Sequence, residues 1–296
     1  MPLMQTALHS PGLLPPNEFN LARYSLNPQT RNRLLDPDIG ALEDYLIDRC
    51  GLPADDTDLS LLHAFGDVVY DVCHDVNTPL PVGYQHLAWL LAWLNTHHPP
   101  SFFGEDPDSP LQALQMVAAL GMGEWAAAYT QIDEGIEQLL LLANSPLWRV
   151  RFAAALGLQR MLMRAWDTTI RRFRAQAMVA NPLEWQAIVA SWSHAFPLDD
   201  QTQILDTLDL LNSGLRFVRD MEEHRFLAEK TGSVLTALQI SIATVVSASP
   251  RLGFAQMHAW ALWQDAHVTA ILQESLRLLE GFPEECRSVS AALDGD

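Results

Sequence analysis

The chain has 296 residues, of which 49% are hydrophobic and 18% charged, a composition that excludes wholesale disorder and is typical of a folded protein. It carries 36 acidic and 18 basic side chains, which gives a formal net charge of −18. A chain this acidic repels nucleic acid and anionic membranes at long range, so non-specific DNA binding is disfavoured.

The N-terminal residues and the three cysteines favour a cytoplasmic protein. Residues 1–19 contain no basic segment and are interrupted by prolines, so no secretory signal is expected. The longest weakly charged stretch, 231–250, contains too many polar side chains for a membrane span. Cys50, Cys73 and Cys286 lack the spacing of a metal site or a disulfide framework, which favours reduced thiols.

Prolines and charge divide the chain into segments. Residues 1–40 hold six prolines and are predicted to form an extended arm, whose apolar side chains pack along the body or onto a partner. The predicted order is the arm at 1–40, a helical N-terminal lobe at 41–98, a hinge at 99–110, a helical-repeat body at 111–281 and an acidic tail at 282–296.

A helix predicted at 59–76 has a polar face that carries candidate ligands. His63, Asp67, Tyr70 and His74 fall within about 60° of one another at 100° per residue. Imidazoles and a carboxylate at i, i+4 spacing are what a zinc or iron site, or a general base, requires. The alternative is the solvated face of an amphipathic helix, since no second helix offers a recognisable third and fourth ligand.

The next predicted helix, 84–96, is apolar nearly all round. His86, Trp89, Trp93 and His97 form an aromatic stripe along it. We interpret this stripe as core packing at the junction between the lobe and the body, with stacking against a ligand or base as the alternative.

Residues 136–162 show how the body is constructed, because two apolar helical segments are separated by a short Asn-Ser-Pro break. Pro146 is placed to start the second helix, where its missing N–H costs nothing. On that helix Ala153, Ala154 and Gly157 line one face with small side chains. Such a face lets two helix backbones approach closely.

This hairpin resembles a HEAT repeat, in which a leucine-rich helix and a short turn precede a Val-Arg pair and an Ala-Ala-x-x-Leu run. The residues that carry the resemblance are Pro146, Val150, Arg151, Ala153 and Ala154, with Leu156 and Leu158 in place of the spaced leucine. Asn144 stands where an acidic turn residue is usual. The resemblance covers residues 136–162 and implies stacked helical hairpins, without implying an activity.

The predicted fold class is therefore all-α: an irregular HEAT-like solenoid of helical hairpins with a helical N-terminal lobe and an extended N-terminal arm. Further helices are predicted at 39–50, 111–129, 131–143, 183–195, 202–212, 215–230, 233–248 and 254–279, with breaks at Gly214, Gly232 and 250–253. Gly121 and Gly123 are candidates to divide the helix at 111–129. In residues 239–246 polar and apolar side chains alternate and several are β-branched, so this segment could also form a strand. We favour a helix, because no second strand pattern is available to pair with it.

Residues 149–174 form a positive island in the acidic chain, with seven arginines and a single acid. Planar guanidinium groups suit bidentate contacts with carboxylates or phosphates. The arginines predicted to bind a partner are Arg149, Arg160, Arg164, Arg171, Arg172 and Arg174. Two uses are open: a docking patch for an acidic protein segment, or ion pairs with acids of adjacent repeats. Nucleic acid is the disfavoured partner for this island.

The tripeptide Trp166-Asp167-Thr168 resembles the Trp-Asp-Thr stretch of the HEAT-like alkylpurine DNA glycosylases, in which an aromatic and an acid meet the damaged nucleotide. The resemblance implies a catalytic Asp167 beside phosphate-binding arginines. The competing prediction makes Asp167 the N-cap of a helix at 168–180.

The sequence contains no Gly-rich phosphate loop, nucleophile elbow or paired-cysteine metal motif, and no cofactor is predicted. We expect a non-enzymatic scaffold or assembly subunit that binds another protein through a concave surface containing the arginine island. The alternatives are a DNA-repair enzyme of the alkylpurine glycosylase type that uses Asp167, and a metal-dependent enzyme centred on His63 and His74.

Overall fold

A computed structural model describes residues 31–32, 34–35, 38–50, 59–80, 82–96, 109–193, 198, 200–221 and 229–294. These residues form an all-α protein, and no strand occurs among them. The helices are α1 Ile39–Arg49, α2 Leu59–His74, α3 Leu87–Thr96, α4 Gln112–Ala128, α5 Ile132–Ala143, α6 Trp148–Arg164, α7 Trp166–Ala177, α8 Pro182–Ala190, α9 Gln201–Arg219, α10 Glu229–Ala248, α11 Pro250–Ala261, α12 Ala266–Arg277 and α13 Pro283–Asp294. A short π-helical turn, Val82–His86, leads into α3.

The helices pack in two rows that alternate along the chain. One row runs α2, α4, α6, α8, α10 and α12, and each member contacts the next. The second row includes α5, α7 and α9, which contact one another in order and also pack against the first row. From α4 to α10, consecutive helices therefore alternate between the two rows.

The extensive contact between α4 and α6 depends on two glycines. A Cβ on Gly123 would overlap the Gly157 carbonyl, and a Cβ on Gly157 would overlap the Ala119 carbonyl. The two backbones therefore touch where both side chains are absent. The small-residue face predicted for the second helix of the hairpin is confirmed, since Ala153, Ala154 and Gly157 are buried. Its closest partner is α4 rather than the preceding helix α5.

The turns of two successive hairpins are joined by their asparagines. Asn181 donates from Nδ2 to Asn144 Oδ1 at 3.0 Å, and Asn144 donates from Nδ2 to Glu184 Oε1 at 3.1 Å. Asn181 also caps α8, as its side chain accepts from two backbone N–H groups in a capping box. The prediction that Pro146 starts the second helix of the hairpin is wrong, because α6 begins at Trp148.

Four glycines predicted as helix breaks lie inside helices instead. Gly121 and Gly123 lie inside the continuous helix α4, while Gly214 and Gly232 lie inside α9 and α10. A glycine within a helix costs only about 1 kcal/mol relative to alanine. Packing outweighs that cost at Gly214, where a Cβ would meet Leu238 at 3.0 Å.

The break in the predicted helix 254–279 falls where no glycine or proline stands. Helix α11 ends at Ala261, and Gln264 follows with a left-handed φ of 50°. Asp265 then caps α12 by accepting from the N–H groups of His267 and Val268, both at 3.0 Å. Pro250, predicted to interrupt the helices, occupies the first turn of α11, where its missing N–H is tolerated.

The remaining differences concern secondary structure near the C-terminus. Residues 239–246 are helical, because they belong to α10. The predicted tail at 282–296 contains helix α13, whose Val289 is fully buried. The predicted arm up to residue 30 and the hinge at 99–108 lie outside the described residues.

Gly123→Ala should lower the free energy of unfolding by about 1–3 kcal/mol, because the added methyl group forces α4 away from α6. Gly232→Ala is the matched control. Nothing lies within 4 Å of a Cβ there, so alanine should stabilise α10 by about 0.5–1 kcal/mol. Urea unfolding followed by circular dichroism measures both. Equal effects of the two substitutions would show that α4 and α6 do not touch at Gly123.

Candidate functional site

Glu124 is a fully buried carboxylate in an otherwise uncharged helix. Both of its oxygens are bound by arginines of α6: Arg160 Nη1 donates to Oε1 at 2.9 Å, and Arg164 Nε donates to Oε2 at 3.1 Å. Burying a carboxylate is costly unless it is paired and hydrogen-bonded. The three charges therefore tie α4 to α6, close to the point where their backbones touch.

The Arg160 guanidinium extends the same network to α2. It donates from Nη1 to Asp67 Oδ1 at 2.6 Å, and its Nη2 lies 2.9 Å from His63 Nδ1. A guanidinium can only donate, so Nδ1 is the acceptor in this contact. We call His63, Asp67, Glu124, Arg160 and Arg164 the Glu124 cluster.

Aromatic rings border the Glu124 cluster on its exposed side. The Arg164 guanidinium carbon lies 3.9 Å from the centroid of the Tyr70 ring, a cation–π contact. The His74 ring packs against the Tyr70 ring with centroids 4.1 Å apart, and its Nδ1 donates to the Tyr70 carbonyl at 2.8 Å. The predicted polar face of α2 is therefore partly covered by the arginines of α6 instead of being wholly solvated.

The geometry does not bring the predicted metal ligands together. Among the described residues, no group of three or more histidine, cysteine, aspartate or glutamate side chains is placed to hold a metal ion. His63 and Asp67 face the Arg160 guanidinium, whereas His74 is exposed beside Tyr70. A cationic donor thus occupies the place that a metal ion would need.

Cys73 lies next to His74 on α2, and the pKa of its thiol is raised. Burial raises the pKa of its thiol to about 12, a hydrogen bond from Tyr129 opposes this rise, and the negative charge of Glu124 adds to it. Burial likewise raises the pKa of Tyr129 to about 12. The Cys73 thiol is therefore neutral near pH 7 and is no nucleophile.

A second set of ion pairs lies on the other row of helices. Arg172 Nε is 3.2 Å from Asp133 Oδ1, and its Nη2 donates to Glu137 Oε1 at 3.2 Å, which links α7 to α5. Arg174 donates to Asp206 at 2.7 Å and to Asp209 at 3.1 Å, which links α7 to α9. Three of these four acids are themselves well exposed, so each pair contributes little stability.

The arginine island is thus divided between the two rows of helices. Arg160 and Arg164 pair within the first row, and Arg172 and Arg174 pair within the second. Arg149 is buried, with its guanidinium carbon 4.9 Å from the Trp148 ring centroid. Arg171 is the exception, since it is exposed and no acid of the described helices forms an ion pair with it.

Trp166 and Asp167 stand at the start of α7. The Trp166 indole donates from Nε1 to Asp206 Oδ2 at 3.0 Å. Asp167 is exposed in the first turn and is not the N-cap, because α7 begins at Trp166 and its N-cap is Ala165. A carboxylate in the first turn is favoured by the helix dipole.

The aromatic stripe of the N-terminal lobe is only partly in the core. Trp89 has half of its surface exposed, at 50%. Its ring centroid lies 6.2 Å from that of His86 and 5.7 Å from that of Trp93. The Trp93 indole donates to Glu43 Oε1 at 2.9 Å, which fixes it against α1. His97 lies outside the described residues.

Sequence reasoning missed Glu124, the centre of the charge network. The signal was present, because Glu124 is the one ionisable side chain between residues 112 and 128, where every neighbour predicts a buried helix. A carboxylate in such a helix requires a cationic partner. Its partners, Arg160 and Arg164, were singled out only for their positive charge.

The fold and the site define an all-α protein whose helices are joined by buried and surface ion pairs. No family model and no curated protein matches the sequence. Among solved structures, the chain is similar to the crystal structure of an engineered protein from the Northeast Structural Genomics Consortium. The two are 13% identical over 81% of this chain and 98% of that chain, with a TM-score of 0.31, which does not establish a shared fold. None of the described helices is long and apolar enough to cross a membrane.

Arg160→Met should lower the free energy of unfolding by about 3–5 kcal/mol, because it leaves the buried Glu124 without its second cation. Arg174→Met, which breaks an exposed pair, is the matched control and should cost no more than about 1 kcal/mol. Chemical denaturation at neutral pH measures both. The double variant Glu124→Gln/Arg160→Met should recover part of the loss. If it is as unstable as the sum of its single variants, Glu124 and Arg160 are not coupled.

Cys73 should resist alkylation by iodoacetamide in the folded protein at pH 8. With a pKa of about 12, its thiolate population is about three orders of magnitude below that of a free thiol of pKa ~8.5. Mass spectrometry of tryptic peptides gives the labelling rate, and protein unfolded in guanidinium gives the reference rate. Labelling of Cys73 at similar rates in the two states would contradict its neutral, buried placement.

Proposed function

We propose that the protein is a non-enzymatic scaffold or assembly subunit, a HEAT-like stack of helical hairpins that binds another protein through its arginine island. The observation that carries the proposal is Arg171. It is exposed on α7, and it stands outside the ion pairs that engage Arg172 and Arg174 on the same helix. A guanidinium that is exposed and that no acid of the described helices engages is available to bind a carboxylate of a partner.

The surroundings of Arg171 support this use. At helical spacing, Asp167, Arg174 and Met178 project from the same side of α7 as Arg171. Met178 and the adjoining Val179 are 84% and 76% exposed. Arginine and methionine are enriched at protein interfaces. The patch therefore combines charge with apolar surface in the way that a docking site requires.

Charge specifies the partner as an acidic segment of a protein. The chain as a whole carries a net charge of −18, which opposes long-range attraction of polyanions such as nucleic acid. A short acidic segment needs only local contacts, in which arginine binds a carboxylate through two parallel hydrogen bonds. This favours a protein partner in the cytoplasm over a nucleic acid.

The polar groups of the Glu124 cluster support a scaffold rather than a reaction centre. Arg160 and Arg164 both donate to Glu124, and Asp67 and His63 accept from Arg160. Each of these bonds joins two helices. The charges thus hold α2, α4 and α6 together. A binding platform requires such rigidity.

Arg171→Glu should remove the partner from the protein in affinity purification from its native cells, with at least about a tenfold loss of a specific co-purifying protein. Arg251→Glu is the matched control, because Arg251 is an exposed arginine on α11, away from the island. Quantitative mass spectrometry compares the two variants. If no protein depends on Arg171, or if both variants lose the same proteins, the proposal fails.

A further inference from the structure

The aromatic row on α3 is a preformed surface that the described helices leave half open. His86, Trp89 and Trp93 follow one another with ring centroids about 6 Å apart. The bond between Trp93 Nε1 and Glu43 holds the far end in place. Trp89, in the middle, is 50% exposed. A row of fixed and partly exposed aromatic rings is the surface on which proline-rich segments dock.

The start of the described chain lies beside this row. His86 donates from Nε2 to the Leu34 carbonyl at 3.3 Å. Arg31 forms an ion pair with Asp75, just after the end of α2. Leu34 therefore lies at the His86 end of the aromatic row. Val76 and Leu80, which precede this row in the chain, are 96% and 69% exposed.

The segment before residue 31 has the composition that such a row binds. Residues 11–16, PGLLPP, combine three prolines with two leucines and contain no charge. In a polyproline II helix, residues three apart share a face and stand about 9 Å from each other. Leu13 and Pro16 are spaced in this way and fit the span of the row. From Pro16 to Arg31 the chain can reach about 50 Å when extended, whereas the row needs only about 10 Å of helix.

We propose that residues 11–16 of the N-terminal arm dock on the aromatic row formed by His86, Trp89 and Trp93 of the same chain. The prolines and leucines cover the exposed half of the Trp89 indole, and the uncharged segment meets no repulsion from Glu43. Polyproline II is already extended before it binds, so little conformational entropy is lost on docking. The surface is distinct from the Arg171 patch, so this proposal does not depend on the proposed function.

The test compares the exposure of Trp89 in full-length protein with the arm intact and with the arm altered. Protein labelled with 5-fluorotryptophan gives one fluorine resonance per tryptophan, and Trp89→Phe assigns that of Trp89. A soluble paramagnetic additive then reports exposure on an internal scale, set by Trp125 at 1% and Trp148 at 42%. Leu13→Asp/Leu14→Asp alters the docking segment, and Thr6→Asp, which lies elsewhere in the arm, is the matched control.

In the unaltered chain, Trp89 should respond to the additive nearly as weakly as Trp125. In Leu13→Asp/Leu14→Asp its response should rise to that of Trp148, while the other tryptophan resonances stay in place and show an intact fold. Thr6→Asp should have no effect. An unchanged Trp89 response in the double variant overturns the proposal. A response that depends on protein concentration also overturns it, because the arm of a second copy would then cover Trp89.

Discussion

The contact between α4 and α6 is the constraint on which the rest of the structure depends. Gly123 and Gly157 remove the side chains that would hold the two backbones apart. At this short distance the arginines of α6 reach Glu124, which is fully buried. Close packing and charge pairing therefore support each other, because the ion pairs form only when the helices touch and the buried carboxylate is tolerated only when they form.

The same contact explains how distant parts of the chain are joined. Arg160 bonds to Glu124 on α4 and also to Asp67 and His63 on α2. His63 and Arg160 are 97 residues apart in the sequence. A single guanidinium with donors in a fixed fork can serve three acceptors at once. Helix α2 is consequently joined to α4 and α6 by hydrogen bonds as well as by apolar packing.

Sequence periodicity predicted much of this architecture, but not its pairings. The all-helical fold, the small face around Gly157 and the shared face of His63, Asp67, Tyr70 and His74 follow from helical spacing within one segment. Which helix meets that face depends on contacts between segments far apart in sequence, and no spacing rule supplies them. The prediction of helix breaks at glycines failed for the same reason. Gly123 and Gly214 lie inside helices at points where neighbouring helices leave no room for a side chain.

The Asn144 side chain receives a hydrogen bond from Asn181 and donates one to Glu184. Each turn presents an asparagine to the turn of the neighbouring hairpin, so the two hairpins are held in one register. Both bonds are needed for this, since Asn144 accepts through Oδ1 and donates through Nδ2, and only a side-chain amide offers both functions in this arrangement. An aspartate at position 144 would lack the donor and would place a second negative charge beside Glu184.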